Sequence, residues 1–226
     1  MGKFKILQGD CLNLMKKLPD HCIDLVVTDP PYDVHAGKGG GSFGNRSSFQ
    51  EIEFMSNGFD ESVLDELIRV MKKINIYVFC SKKQIPMLID YFHSIHKCNW
   101  ELLTWHKTNP VPACKNKYLS DTEYIFFARE KGVKILGEYK TKKTYYVTPI
   151  NAKEKKLYHH PTVKPQEILK NLIINSSNEG DAVLDPFMGS GSTGVAALTI
   201  DRNFIGFEIN EEYMNTAKQR IAEVVA

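Results

Sequence analysis

The sequence lacks the features that mark membrane and secreted proteins. Its longest apolar runs, such as residues 23–27 and 182–184, are far shorter than the roughly 20 residues that cross a bilayer, and they predict buried strands. The first residues, Met-Gly-Lys-Phe-Lys-Ile, include neither the apolar run of a signal peptide nor the Ser or Thr of a myristoylation motif. We therefore expect a cytoplasmic protein with no membrane partner.

The sequence also lacks a Cys-x-x-Cys pair and has only a small net charge. The five cysteines are an odd number and form no Cys-x-x-Cys pair, so neither a disulfide framework nor a zinc cage is predicted. We expect reduced thiols and no metal. A net charge of +2 is too small to indicate a polyanionic partner, so an argument for nucleic acid must rest on where the basic residues lie.

The chain does contain an alternation of short apolar runs with helical patterns over its 226 residues. This alternation predicts one α/β domain with a mostly parallel sheet and helices on both faces. Seven strands are predicted, at residues 4–8, 24–28, 76–80, 100–105, 123–128, 182–185 and 204–208. Helices are predicted at residues 11–17, 62–72, 82–96, 165–176, 193–199 and 211–222.

Two segments interrupt the alternation. Residues 33–60 are rich in glycine, serine and asparagine, which predicts a long mobile loop of functional importance. Residues 131–158 carry eight lysines against two glutamates, interleaved with tyrosines, which suits contact with phosphates and bases. A solvated hairpin is an equally good interpretation of that second pattern.

A glycine-rich turn follows the predicted strand at residues 182–185 and leads into a helix. Glycines let a ligand approach the backbone, and the start of a helix offers free N–H groups. Gly189, Gly191 and Gly194 match the dinucleotide pattern G-x-G-x-x-G, and Glu208 is an acid suited to ribose hydroxyls. NAD and S-adenosylmethionine share the adenosine portion, so the turn does not decide between them. No lysine follows the glycines, which excludes a Walker-type phosphate loop.

The tetrapeptide Asp29-Pro30-Pro31-Tyr32 ends another predicted strand and suits chemistry on a base amine. The amino nitrogen of adenine or cytosine is a poor nucleophile, and a carboxylate and a carbonyl that accept its two N–H groups would localise the lone pair. Tyr32 offers a face for stacking an extruded base, worth about 1 to 3 kcal/mol. Direct methyl transfer then needs no metal and no covalent intermediate. A proline-rich turn without chemistry is the alternative.

These motifs, in this order, resemble the amino-methyltransferases of DNA, in the β-type group whose catalytic motif precedes the cofactor motif. The resemblance covers almost the whole chain and extends to His-Pro-Thr-Val-Lys-Pro at residues 160–165 and to Gly-Phe-Glu-Ile-Asn at residues 206–210, with Tyr213, Ala217 and Arg220 behind. It implies a Rossmann-like methyltransferase fold, S-adenosylmethionine as cofactor and a flipped base in double-stranded DNA as substrate.

The resemblance also implies roles for residues. The catalytic loop corresponds to Asp29, Pro30, Pro31 and Tyr32. The cofactor site corresponds to Asp10, Cys11, Thr162, Lys164, Asp185, Pro186, Phe187, Gly189, Ser190, Gly191, Glu208 and Ile209. Residues 131–158 correspond to a short target-recognition insertion, and Trp105, Lys107 and residues 109–112 to the loop beside the base pocket.

Several of these residues have a second, structural interpretation. Asp10 is equally suited to cap the next helix, and Glu208 to stabilise a helix N-terminus. Lys164 stands ahead of a helix, where a lysine is often solvated, and Trp105 suits a core position.

The choice of substrate is narrowed by one position in the catalytic motif. Asp29 favours N6 of adenine by resemblance, because enzymes acting on N4 of cytosine more often carry Ser there. Cytosine N4 is the alternative, and an RNA or protein methyltransferase, an NAD-dependent oxidoreductase and a DNA-binding module without catalysis are more distant ones. A homodimer and a cognate restriction endonuclease are further partners that the resemblance leaves open.

Overall fold

The computed structural model describes residues 2–31, 61–112, 114–150 and 163–225. Eight strands in these ranges form one sheet: β1 Phe4–Gln8, β2 Leu25–Thr28, β3 Asn75–Cys80, β4 Asn99–Lys107, β5 Thr122–Arg129, β6 Tyr145–Thr148, β7 Ala182–Asp185 and β8 Asn203–Glu208. Their order is β1-β8-β7-β2-β3-β5-β4-β6. The pairs β3/β5 and β5/β4 are antiparallel and the others parallel, which confirms the mostly parallel α/β sheet.

The predicted count of seven strands is wrong, because β6 pairs in parallel with the second half of β4. In β6 the side chain of Tyr146 is buried, whereas Tyr145 and Val147 are 54% and 58% exposed. The indole Nε1–H of Trp105 on β4 donates to Thr148 Oγ1 at 2.8 Å, which fastens the added strand. Four residues of alternating burial are a weak pattern, and the surrounding lysines obscured it.

Helices cover the sheet on both faces, as predicted. Those of the described residues are α1 Cys11–Met15, α2 Glu61–Val70, α3 Ile85–Ile89, α4 Gln166–Ser176, α5 Ser192–Thr199 and α6 Glu211–Val225. The single helix predicted at residues 82–96 is wrong at both ends of that range. Pro86 restricts this helix to a start at Ile85, and after Ile89 the chain continues as a π-helical segment, Asp90–Ile95.

The central strands are buried on both faces. Val26 on β2 packs into a core with α1 and α2, whereas its neighbours Leu25 and Val27 pack into a second core with α4, α5 and α6. This alternation follows from the two-residue period of a strand, and burial on both faces explains the near-continuous apolar runs of β2 and β3.

Parallel pairing brings the ends of several strands to the same side of the sheet. We call this side the carboxyl edge; it is formed by Thr28, Cys80, Lys107, Asp185 and Glu208, and we call the opposite side the amino edge. In sheets of this kind ligands bind at the carboxyl ends of the strands. Within the described ranges no helix is both long and apolar enough to cross a membrane.

Candidate functional site

The two sequence motifs that predict chemistry meet at the carboxyl edge. Strands β2 and β7 are neighbours, and the Thr28 hydroxyl donates to Asp185 Oδ1 at 3.0 Å. Asp29 follows Thr28 directly, and its charge acts on Asp185. The start of the predicted catalytic motif therefore lies beside the start of the predicted cofactor turn.

Asp185 is a buried carboxyl at this junction. Burial raises its pKa to about 7, although hydrogen bonds from Thr193, from the Phe187 N–H and from Thr28 oppose the shift, and the charge of Asp29 adds to it. The Phe187 N–H lies 3.1 Å from Asp185 Oδ1. Asp185 thus fixes the backbone at the start of the turn.

The turn requires glycine at two positions. Gly189 and Gly191 have φ angles of 51° and 78°, in the left-handed region that side chains disfavour. A Cβ atom on Gly191 would lie 3.0 Å from the Cβ of Ala217 on α6. Backbone conformation at both positions, and packing at Gly191, therefore keep side chains off this part of the turn.

Arg220 on α6 holds the glycine-rich turn through three hydrogen bonds. Its Nη1 donates to Ser190 O at 2.8 Å and to Ser190 Oγ and Ser192 Oγ at 3.0 Å each. Gln166 at the start of α4 also donates to Ser192 O at 3.0 Å. The side chain of Ser190 is buried against Arg220, so a ligand would meet the backbone of the turn there.

Glu208 lies across from the turn, at the end of β8. Its carboxylate accepts the Gly189 N–H at 2.9 Å and the Asn210 N–H at 2.7 Å. Burial raises its pKa, and the backbone N–H groups oppose this shift. Asn210 caps α6 through its own side chain, which accepts the N–H groups of Glu212 and Tyr213, while Glu208 accepts the N–H of Asn210 itself.

Asp10, Cys11 and Ile209 follow the ends of the neighbouring strands β1 and β8. Asp10 follows β1, and its side chain accepts the Asn13 N–H at 2.9 Å, so it does cap α1. Cys11 is buried, and burial followed by the charge of Asp10 raises its pKa to about 11, which keeps the thiol neutral. Ile209 is 51% exposed and offers an apolar surface at the same edge.

The predicted catalytic loop is held by a buried glutamine. Gln84 Nε2 donates to Pro31 O at 3.2 Å, and Gln84 Oε1 accepts the Ser81 N–H at 2.9 Å. Pro30 is buried between these contacts and β2. Tyr32, Thr162 and the predicted loop at residues 33–60 lie outside the described residues.

Lys164 is buried rather than solvated. Its Nζ lies 2.8 Å from Asp29 Oδ2 and 3.0 Å from Glu123 Oε2, and the second oxygen of Glu123 lies 2.7 Å from Lys107 Nζ. The segment that the resemblance assigned to the cofactor site therefore reaches the predicted catalytic motif.

Trp105 is part of the core, with 2% of its surface exposed. Lys107, two residues further, lies over its ring at 5.3 Å and ends at the carboxyl edge. Beyond it, Asn109 Oδ1 accepts the Ile150 N–H at 2.6 Å. The residues predicted to flank a base pocket thus connect the ends of β4 and β6.

The described part of the basic segment begins at the amino edge. The Leu136 N–H donates to Asn175 O at 2.8 Å, and the Thr141 hydroxyl donates to Asn175 Oδ1 at 2.7 Å, near the end of α4. An open depression of about 680 Å³ lies there, at the opposite edge from Asp29. The chain reaches the carboxyl edge only with β6, and residues 151–158 lie outside the described ranges.

Gln84 and Glu123 were not predicted at the site, and Arg220 was named as part of the resemblance without a role. Glu123 is an acid directly before the apolar run of β5, residues 124–128, and Arg220 falls on the buried face of α6 beside Ala217 and Ile221. A charge on an apolar face indicates a buried ion pair or hydrogen-bond network, a pattern that was available in the sequence. Gln84 follows two lysines and carries no such pattern.

Comparisons with known proteins identify the family of this chain. Residues 23–219 match the model of the DNA methylase family of N6 and N4 enzymes. Type II methyltransferase M2.MboI of Moraxella bovis is 30% identical over 98% of this chain and 88% of its own length. Type II methyltransferase M2.DpnII of Streptococcus pneumoniae is 30% identical over 97% of this chain and 90% of its own.

Solved structures give the same result. The M1.HpyAVI–SAM complex is 26% identical, covers 96% of this chain and 99% of its own, and superposes with a TM-score of 0.68. The cytosine-N4-specific PvuII DNA methyltransferase has the same fold, with a TM-score of 0.75 at 18% identity, over 100% of this chain and 91% of its own. The family excludes the NAD-dependent oxidoreductase that the glycine pattern had left open. The chain belongs to the DNA methylase family and is an S-adenosylmethionine-dependent DNA methyltransferase of the adenine-N6 or cytosine-N4 class.

Proposed function

We propose that this protein methylates N6 of adenine within a specific sequence of double-stranded DNA. The observation that carries the proposal is the junction of Asp29 with the cofactor turn through Thr28 and Asp185, with 3.0 Å between the Thr28 hydroxyl and the Asp185 carboxylate. Adenine is favoured over cytosine because the first residue of the catalytic motif is Asp, where cytosine enzymes more often carry Ser.

In the proposed mechanism the loop after β2 prepares the amine. The carboxylate of Asp29 accepts one N–H of the flipped adenine and the carbonyl of Pro30 accepts the other, which localises the nitrogen lone pair. The carbonyl of Pro31 already accepts from Gln84, which fixes the backbone beyond Pro30. Tyr32 stacks on the base, and one amine proton leaves by way of Asp29 as the nitrogen gains its methyl group.

The cofactor would lie along the carboxyl edge beside this loop. S-adenosylmethionine supplies, when bound, a methyl carbon on a positively charged sulfur that takes up the electron pair of the broken bond. Glu208 would accept the ribose hydroxyls, Ile209 and Phe187 would contact the adenine ring, and the backbone around Gly189 would face the methionine portion. Asp10, Cys11, Thr162, Asp185, Pro186, Ser190 and Gly191 would complete the binding site.

The DNA would approach the same edge. Residues 114–121, between β4 and β5, present Lys115, Lys117 and the fully exposed Tyr118 there, a combination that suits phosphates and bases. Residues 131–158 would contribute to recognition through β6 and the residues that follow it. We propose the cytoplasm as the place of action, since the substrate is DNA, and a cognate restriction endonuclease as partner, since the relatives are type II enzymes by name. Sedimentation would detect a homodimer.

The experiment is expression in a methylation-deficient bacterial strain, followed by long-read sequencing that maps modified bases. We expect N6-methyladenine at one short sequence motif with the wild-type protein and none with Asp29→Asn. Binding of S-adenosylhomocysteine by purified Asp29→Asn shows that the variant is folded. Methyl groups on N4 of cytosine would replace the adenine assignment by its alternative, and no modification from soluble protein would overturn the proposal.

A further inference from the structure

We infer that Glu123 is a positioning residue for methyl transfer, because it holds Lys164 against the carboxylate of Asp29. The inference rests on the proposed function, which makes Asp29 the acceptor for the target amine. Lys164 Nζ lies 2.8 Å from Asp29 Oδ2 and 3.0 Å from Glu123 Oε2. One ammonium group therefore joins the catalytic loop to the start of β5.

Burial restricts the ammonium group of Lys164 to its contacts with the two carboxylates. The side chain of Lys164 is 6% exposed, and those of Asp29 and Glu123 are 21% and 18% exposed. The Nζ atom also lies 4.9 Å from the centre of the Phe79 ring on β3. An ammonium ion removed from water in this way needs carboxylate partners, so it stays between the two acids.

Glu123 is itself fixed from the other side. Its Oε1 lies 2.7 Å from Lys107 Nζ at the end of β4. Burial favours a raised pKa for Glu123, but Lys164 and Lys107 outweigh burial and lower its pKa to about 2. Burial also favours a lowered pKa for Lys164, which Asp29 and Glu123 outweigh, so that its pKa lies above the ordinary value. Charges of alternating sign thus run from Lys107 to Asp29.

The chain of charges has a consequence for the carboxylate of Asp29. A lysine side chain has a flexible four-carbon stem, so paired with Asp29 and nothing else it would follow the carboxylate as it turned. Glu123 projects from a strand and holds the ammonium group in one place, which fixes Asp29 Oδ2. The orientation of the target amine toward the methyl donor depends on this carboxylate, and a misplacement of about 1 Å can cost about 100-fold in rate.

The test is Glu123→Gln, which keeps the size of the side chain and removes its charge. We expect the single-turnover rate constant to fall about 10- to 100-fold, with unchanged Kd for S-adenosylhomocysteine and for duplex DNA carrying the mapped site. The matched control is Glu101→Gln, an exposed glutamate on β4, which keeps the wild-type rate. A wild-type rate in Glu123→Gln overturns the inference.

The pH profile separates positioning from a general loss of structure. Lys164 faces the carboxylates of Asp29 and Glu123 and the ring of Phe79. In Glu123→Gln, Asp29 is the one of these two acids that still opposes the effect of burial, so the pKa of Lys164 falls. The alkaline limb of the rate profile therefore moves to lower pH in Glu123→Gln, and an unmoved limb contradicts the inference.

A second variant guards against loss of folding, since Glu123→Gln leaves Lys164 and Lys107 with fewer partners. The double variant Lys107→Met/Glu123→Gln removes one charge of each sign and is compared with Lys107→Met. We expect the double variant to regain a melting temperature near wild type and to remain about tenfold or more slower than Lys107→Met. Equal rates in these two variants would mean that Glu123 acts on stability, which overturns the inference. A wild-type protein that methylates nothing would overturn the proposed function instead.

Discussion

The hydroxyl of Thr28 donates a hydrogen bond to the carboxylate of Asp185 across 3.0 Å, and this contact joins two parts of the chain that are 157 residues apart in sequence. One partner ends the strand that precedes the Asp-Pro-Pro motif, and the other ends the strand that precedes the glycine turn. Their pairing is a consequence of the sheet order, in which β2 and β7 are neighbours. In the proposed mechanism the sheet therefore sets the distance between the methyl donor and the acceptor for its target.

The buried carboxyl of Asp185 makes stability depend on pH. Its folded-state pKa of about 7 lies above the ordinary value of 3.8, because burial disfavours the charge. The contribution of this group to stability is complete below the ordinary pKa and is lost as the pH rises through about 7. We expect wild type to lose about 3 kcal/mol of unfolding free energy relative to Asp185→Asn between pH 5 and 8.5. Urea titrations at the two pH values measure this, and a constant difference would contradict it.

Two glycines with similar backbone angles allow a matched test of the turn. Gly191 and Gly180 have φ angles of 78° and 82°, but a Cβ on Gly180 meets nothing within 4 Å, whereas one on Gly191 lies 3.0 Å from Ala217. Gly180→Ala should lose about 1 to 2 kcal/mol of stability from strain and keep its affinity for S-adenosylhomocysteine. Gly191→Ala should lose more stability and at least about tenfold in that affinity, because α6 must shift. Calorimetry measures both, and equal affinities would show that the turn does not face the cofactor.

Two exposed tyrosines allow a test of which edge of the sheet binds DNA. Tyr118 is 98% exposed between β4 and β5 at the carboxyl edge, and Tyr139 is 96% exposed in the basic segment at the amino edge. Tyr118→Ala should weaken binding of a duplex with the mapped site by about tenfold, a typical loss for one aromatic contact with a base, whereas Tyr139→Ala should leave it unchanged. Fluorescence anisotropy at fixed salt measures both affinities. The reverse result would assign the contact to the amino-edge part of the basic segment.

Most of the sheet follows from the sequence because strands such as β2 and β3 are buried on both faces and appear as near-continuous apolar runs. Strand β6 was not predicted because Tyr146 is its one buried side chain, and the residues around it are typical of solvent-exposed segments. The π-helical segment after Ile89 was not predicted for another reason. Its apolar residues are spaced as in an ordinary helix, and the change in hydrogen bonding has no signature in the composition.

The parts of the site that come from short sequence motifs could be predicted. Asp185 and Glu208 end their strands and Asp29 directly follows one, so the parallel sheet brings all three to one edge. The burial of Lys164 was not predictable, since a lysine is ordinarily solvated and its partners Asp29 and Glu123 come from distant parts of the chain. Contacts of this kind depend on which strands are neighbours, and the order of strands does not appear in the spacing of apolar residues.

The most direct measurement is the fate of a deuterated methyl group. Purified protein is incubated with unmethylated genomic DNA and S-adenosylmethionine carrying a trideuterated methyl group, and the nucleosides are identified by mass spectrometry. We predict trideuterated N6-methyldeoxyadenosine with the wild-type protein and none with Asp29→Asn, although that variant still binds S-adenosylhomocysteine. A deuterated base formed by Asp29→Asn at the wild-type rate would contradict the account.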